Sequence, residues 1–103
     1  MIRVIASIEL KPGQRKAFLA ELLANVPHVL AEPGCRDYTP MVDTPSGLPP
    51  QIPLRPDVVT IVEGWDSLEA LRVHLSGQPH MLRYKAATKD MVSRVSLQVL
   101  QPA

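Results

Sequence analysis

The chain has 103 residues, enough for one domain with a modest core and small enough to gain from a partner. Hydrophobic residues make up 46% and aromatics only 4%, so a globular protein with an aliphatic core is expected. A net charge of +1 without any basic block gives no case for a nucleic-acid partner, and no apolar run suits a signal peptide or a membrane span. The single cysteine, Cys35, excludes an intrachain disulfide, and a reducing cytoplasm is the expected setting.

Residues 2–10 alternate, with Ile2, Val4, Ala6, Ile8 and Leu10 on one face and Arg3, Ile5, Ser7 and Glu9 on the other, which predicts a strand. "KPGQ" breaks it. From Gln14 to about Leu30 the period is helical, and Phe18, Leu22, Val26 and Val29 form the expected buried stripe. Pro27 lies inside this helix and is expected to kink it or to start a new turn, and "EPG" is the stop. "CRDYTPMV" predicts a second strand. Residues 43–57 follow, a proline-rich loop insertion that is expected to be semi-stiff: a lid, an arm on a partner, or a surface loop.

"VVTIVEGW", residues 58–65, is a third strand with branched residues on both faces, which implies cover on both. Asp66 is the expected cap of the next helix with Glu69 completing a capping box, and Leu68, Leu71 and Leu75 are its expected buried stripe. "SGQP" interrupts, and Pro79 opens a further short helix that places His80, Tyr84, Ala87 and Met91 on one side. Residues 95–100 alternate as a last strand. The order β-α-β-β-α-β over a single domain, 1–103, predicts an α+β ferredoxin-like sandwich: a four-stranded antiparallel sheet with helices on one face. The uncovered apolar face predicts a homodimer, stacked sheet to sheet.

Three segments carry a resemblance: "LKPGQ" after the first strand, "EPGCRDY" after the first helix, and "VEGWDSLEALRVHLSGQPHMLRY". Together they resemble the antibiotic biosynthesis monooxygenase family, small dimeric α/β-barrel proteins that include quinol monooxygenase-like members. The resemblance spans about residues 2–100 and implies an oxygenase that uses no cofactor. The architecture also hosts anthrone oxidation, haem degradation, signal-molecule isomerisation and proteins without known activity, so fold alone does not fix the reaction. The family's loop between the second and third strands is expected to be short, which makes residues 43–57 a departure.

The candidate catalytic residues are His74 and His80. His74 flanks the buried stripe, where it either bonds a last-turn carbonyl or serves as a base, and the resemblance implies a histidine at this place. His80 either finishes a helix turn or pairs with Tyr84, four residues on, to bind a phenol. Trp65 is a core anchor or a flat wall for an aromatic ligand; Tyr38 reaches the pocket or the dimer seam; Arg36 is expected in solvent. Cys35 is expected to be a buried inert thiol, His28 a surface residue, and Met41, Met81 and Met91 core filler. The spacing of His74 and His80 matches no metal motif, and no Gly-rich phosphate loop follows a strand, so neither a metal nor a nucleotide or flavin is expected.

The expected function is a cofactor-independent monooxygenase that joins molecular oxygen to an electron-rich aromatic, a quinol or polyketide-like phenol, with His74 or His80 as base. The alternatives are an isomerase or processing enzyme for a small carbonyl metabolite, and a non-catalytic dimer that binds an apolar ligand. Haem degradation ranks last because Ser7 stands where the resemblance calls for a side-chain amide.

Overall fold

The computed structural model describes all residues 1–103. The seven elements follow the expected order: β1 (Ile2–Leu10), α1 (Arg15–Leu30), β2 (Cys35–Met41), β3 (Val58–Trp65), α2 (Leu68–Leu75), α3 (Pro79–Thr88) and β4 (Val92–Leu100). The strands form one antiparallel sheet in the order β2-β3-β1-β4, the ferredoxin-like arrangement. β4 begins three residues earlier than its alternation predicts, because a register shift at Glu9/Leu10 lets Val92 pair with Leu10.

Val4, Ala6, Ile8, Val59, Ile61 and Tyr38 point to the helices and are buried there with Phe18, Leu22, Val29, Trp65, Leu71 and Met81. The other face carries Ile5, Val58 and Val62, which are only half-buried. The helices stop short of β4. Val95, Leu97 and Val99 pair with the inward residues Ile8, Ala6 and Val4, yet all three stay exposed at the sheet edge.

Several local expectations are corrected. α1 continues through Pro27, and its buried face takes Asn25 beside Val26, which is half-buried against the core; the Asn25 side chain lies 3.3 Å from the Met81 sulfur. The cap of α2 is Ser67, whose hydroxyl accepts from the Ala70 amide at 3.1 Å. Asp66 instead holds Arg36 in a two-point ion pair of 2.6 and 3.0 Å, because a bulge at Cys35–Asp37 takes Arg36 out of the β2 ladder. Leu68 and Leu75 are exposed; the inward face of this short helix is Leu71 and His74. On α3 the inward residues are Met81 and Thr88, with Ala87 in solvent, and Met41 is likewise exposed rather than core.

Residues 43–57 form an exposed loop closed at its base by Arg55, whose backbone and guanidinium donate to the Asp43 carboxylate at 2.9–3.0 Å. Asp57 ties it to β1 through the Leu10 and Gly13 amides.

The turn from α1 to β2 fixes the site below. Gly34 has φ +83°, and a Cβ there would stand 2.7 Å from the Ala70 Cβ of α2. Gly34→Ala is therefore expected to cost about 2–4 kcal/mol, from left-handed backbone strain plus overpacking. Urea unfolding measures it, and an unchanged midpoint would contradict this packing.

Candidate functional site

Glu32 follows the last turn of α1, with its amide on the Val29 carbonyl and its own carbonyl accepting from the Cys35 amide. A carboxylate beside a helix C-terminus is unfavourable for the dipole, and this one is also buried, so it needs partners. It finds two. His74 Nδ1 lies 2.9 Å and His80 Nε2 2.8 Å from the same oxygen, Oε2, while Oε1 is buried without a partner. The two histidines that the sequence singles out are thus brought together through a carboxylate that the sequence reading passed over.

They do not share a cavity. His74 lines an apolar cavity of about 390 Å³ between the sheet and α2/α3, with Tyr38, Ile61, Glu63, Met81 and Tyr84 on its walls. Lys85 and Lys89 and the β4 residues Val95 and Leu97 line it as well. His80 instead faces a smaller groove of about 160 Å³ with His28, Asn25 and Arg83; Tyr84 lines both spaces. His28 is exposed, as expected, but its ring stacks on His80 at 6.0 Å.

Donation by Nδ1–H to Glu32 assigns the proton of neutral His74 to that nitrogen and leaves the Nε2 lone pair available. Burial lowers the affinity of His74 for a second proton, and the Glu32 carboxylate only partly opposes this. The ring is fixed between Trp65, centroids 4.7 Å apart, and Tyr38 at 5.7 Å edge-on.

Trp65 is fully buried, as an anchor would be, and stands behind His74 rather than among the residues that line the cavity. Its indole N–H donates to Glu63 Oε1 at 2.9 Å. Glu63 is a second residue that the sequence reading missed. Burial pushes its carboxyl up to about 7, the Trp65 donor opposing and the Glu32 charge adding to the rise. Burial likewise raises the phenols of Tyr38 and Tyr84, which stay neutral donors. The Cys35 thiol is half-buried and pushed up to about 11 by burial and the nearby Glu32, consistent with an inert thiol.

Both missed carboxylates leave a signal in the sequence. Glu63 falls on the buried parity of β3 after Val59 and Ile61, and Glu32 sits where a helix end repels negative charge. No group of three or more His, Cys, Asp or Glu side chains is arranged to hold a metal ion. No helix is long and apolar enough to cross a membrane.

Glu63 gives a pH prediction. Its folded value of about 7 exceeds the ordinary 4.5, so the folded state binds the extra proton between them. Its contribution to stability is full below 4.5 and is lost as pH rises through 7. Glu63→Gln is expected to lose less melting temperature than the parent between pH 6 and pH 8; equal losses would contradict the raised carboxyl.

The sequence model described as "Antibiotic biosynthesis monooxygenase" matches residues 1–87. Escherichia coli (strain K12) YgiN, described as a probable quinol monooxygenase, is 41% identical over 104 residues, covering 99% of this chain and 98% of its own. Among solved structures, Rv0793 from Mycobacterium tuberculosis matches at 30% identity and TM-score 0.77, over 99% of this chain and 94% of its own. PA3566 from Pseudomonas aeruginosa matches at 25% and 0.79, over 99% and 93%.

Proposed function

Because the chain belongs to the antibiotic biosynthesis monooxygenase family, we propose that its apolar cavity oxidises an electron-rich aromatic, a quinol or polyketide-like phenol, with molecular oxygen and no added cofactor. The observation that carries this reading is His74: a buried imidazole, held by Glu32 in the tautomer that leaves a lone pair, on the wall of an apolar cavity. A volume of about 390 Å³ lies in the range of small-molecule sites.

The chemistry asks little of the protein. His74 Nε2 takes the proton of a phenol hydroxyl. The resulting anion gives one electron to dioxygen, the semiquinone and superoxide combine at a ring carbon, and the peroxide so formed takes the proton back from His74 to give a hydroperoxide. Loss of water leaves the hydroxylated quinone, with one oxygen atom in the product and one in water. Every electron comes from the substrate, so the balance closes without a reductant. The carboxyl of Glu63, neutral below about 7, is suited to donate a hydrogen bond to the developing anion. Lys85 and Lys89 add positive charge, and the aliphatic wall excludes water from the radical pair.

The reading includes a homodimer. Val95 and Leu97 line the cavity yet remain exposed, and Ile5, Val58 and Val62 give the open sheet face apolar ground for a second copy. Light scattering is expected to give twice 11.3 kDa; a monomer at micromolar concentration would end that part of the reading.

The test of the function is oxygen uptake by metal-free protein with a panel of quinols. Uptake above the buffer rate for at least one quinol is expected, and none for any would overturn the proposal. Turnover of a carbonyl compound at equal rate with and without oxygen would favour an isomerase, which the paired acid–base groups His74 and Glu63 could also serve.

A further inference from the structure

We propose that His80 is the outer terminus of a proton relay, in which Glu32 couples proton uptake by His74 in the cavity to proton release by His80 into the neighbouring groove. The inference rests on the oxygenase reading only for its role in turnover; the coupling itself is a property of the resting protein.

The geometry carries it. Two imidazole nitrogens contact a single carboxylate oxygen at 2.9 and 2.8 Å, and the other oxygen of that carboxylate is buried without a partner. The charge of Glu32 is therefore balanced at Oε2 alone. With both imidazoles neutral, a net negative charge is buried; with both charged, a net positive one. The favoured state holds one imidazolium between the two rings. His80 is the ring that carries it at rest, because His74 is almost fully buried, its side chain 3% exposed against 15% for His80.

Proton movement then follows without any change in the total charge of the trio. When His74 Nε2 takes a proton from a substrate hydroxyl, its Nδ1–H stays on Glu32 and the positive charge moves to the cavity. His80 keeps its Nε2–H on Glu32 and releases its Nδ1–H to water or a buffer base in the groove. Glu32 stays ionised throughout. Return of the proton from His74 to the peroxide, with uptake of one by His80 from the groove, resets the site.

The surroundings of both rings support this direction. His74 is faced by Glu32, Glu63, Tyr38, Trp65, His80 and, across the cavity, Lys85. His80 is faced by Glu32, the stacked ring of His28, and Arg83 and Glu21 along the groove. The open groove in front of His80 offers water to receive its proton. Glu32 and His80 are thus positioning residues, and neither touches substrate.

The experiment is a nitrogen-15 NMR titration of the three imidazoles, which needs no turnover and can fail while the oxygenase reading stands. At neutral pH, His74 is expected to be protonated on Nδ1 alone. His80→Gln keeps an amide donor for Glu32 but cannot titrate, and it is expected to raise the His74 midpoint by about one pH unit. That shift is expected to collapse in a Glu32→Gln background, and His28→Gln is expected to leave His74 unmoved. An unmoved His74 midpoint in His80→Gln, a neutral His74 protonated on Nε2, or an equal shift from His28→Gln would overturn the relay.

Discussion

His74→Gln is expected to lower kcat/KM for any oxidised quinol by about 10²–10⁴-fold, the span that a positioned general base supplies. Glutamine can still donate to Glu32 and fill the space beside Trp65, so the fold should survive and the loss should report lost basicity. The pH profile sharpens the expectation. Burial places the acid limb of kcat/KM below the ordinary imidazole value of 6.5, since only neutral His74 accepts a proton. The alkaline limb belongs to Glu63 and falls near 7, where its carboxyl ionises and ceases to donate. Between the limbs, both groups are neutral, which is the pairing an acid–base site requires. Glu63→Gln keeps a donor and is expected to remove the alkaline limb while leaving the acid one. Stopped-flow or electrode rates across pH measure both; an unchanged rate in His74→Gln would sink the histidine-base mechanism.

Trp65→Ala is expected to cost about 3–5 kcal/mol of folding free energy, as for a fully buried large aromatic. That is a large share of the roughly 5–15 kcal/mol that holds a domain together. At matched protein concentration, the melting temperature is expected to fall by about 15 °C or more. Trp65→Phe separates the two tasks of this residue: it retains most of the packing on His74 but deletes the indole donor to Glu63. Its stability loss should be smaller, while the Glu63 carboxyl rises further above 7 because the contact that opposes burial is gone. Calorimetry and a carboxyl titration by NMR measure the two effects.

The fold was legible because its periods are clean. β1 alternates over nine residues and β3 is branched on both parities, and these signals outlast any single substitution. The errors are phase errors. Asn25 joins the half-buried Val26, and His74 replaces Leu75, at the buried face, because one residue turns a helix by about 100° and two leucines fit either stripe. At Asp66 and Ser67, both residue types suit a cap, and the choice was made by Arg36, which a bulge thirty positions upstream delivers to Asp66.

The site was legible only in part. His74 and His80 stood out by residue type, but nothing in a six-residue spacing shows that they face different spaces and meet at one oxygen. Their partner Glu32 lies 42 and 48 positions away, and only the packing of α1 against α3 and of α2 on β3 brings it there. Trp65 left two readings open, core anchor or ligand wall; its full burial fits the anchor, with its indole N–H on Glu63 and its ring against His74.

The central claim is that dioxygen gives one atom to an aromatic bound beside His74. Turnover under oxygen-18 gas, with the quinone product weighed by mass spectrometry, tests it most directly. One labelled atom per product molecule, absent in His74→Gln at equal reaction time, is the predicted result. Product formed without label, or formed equally under argon, would contradict it.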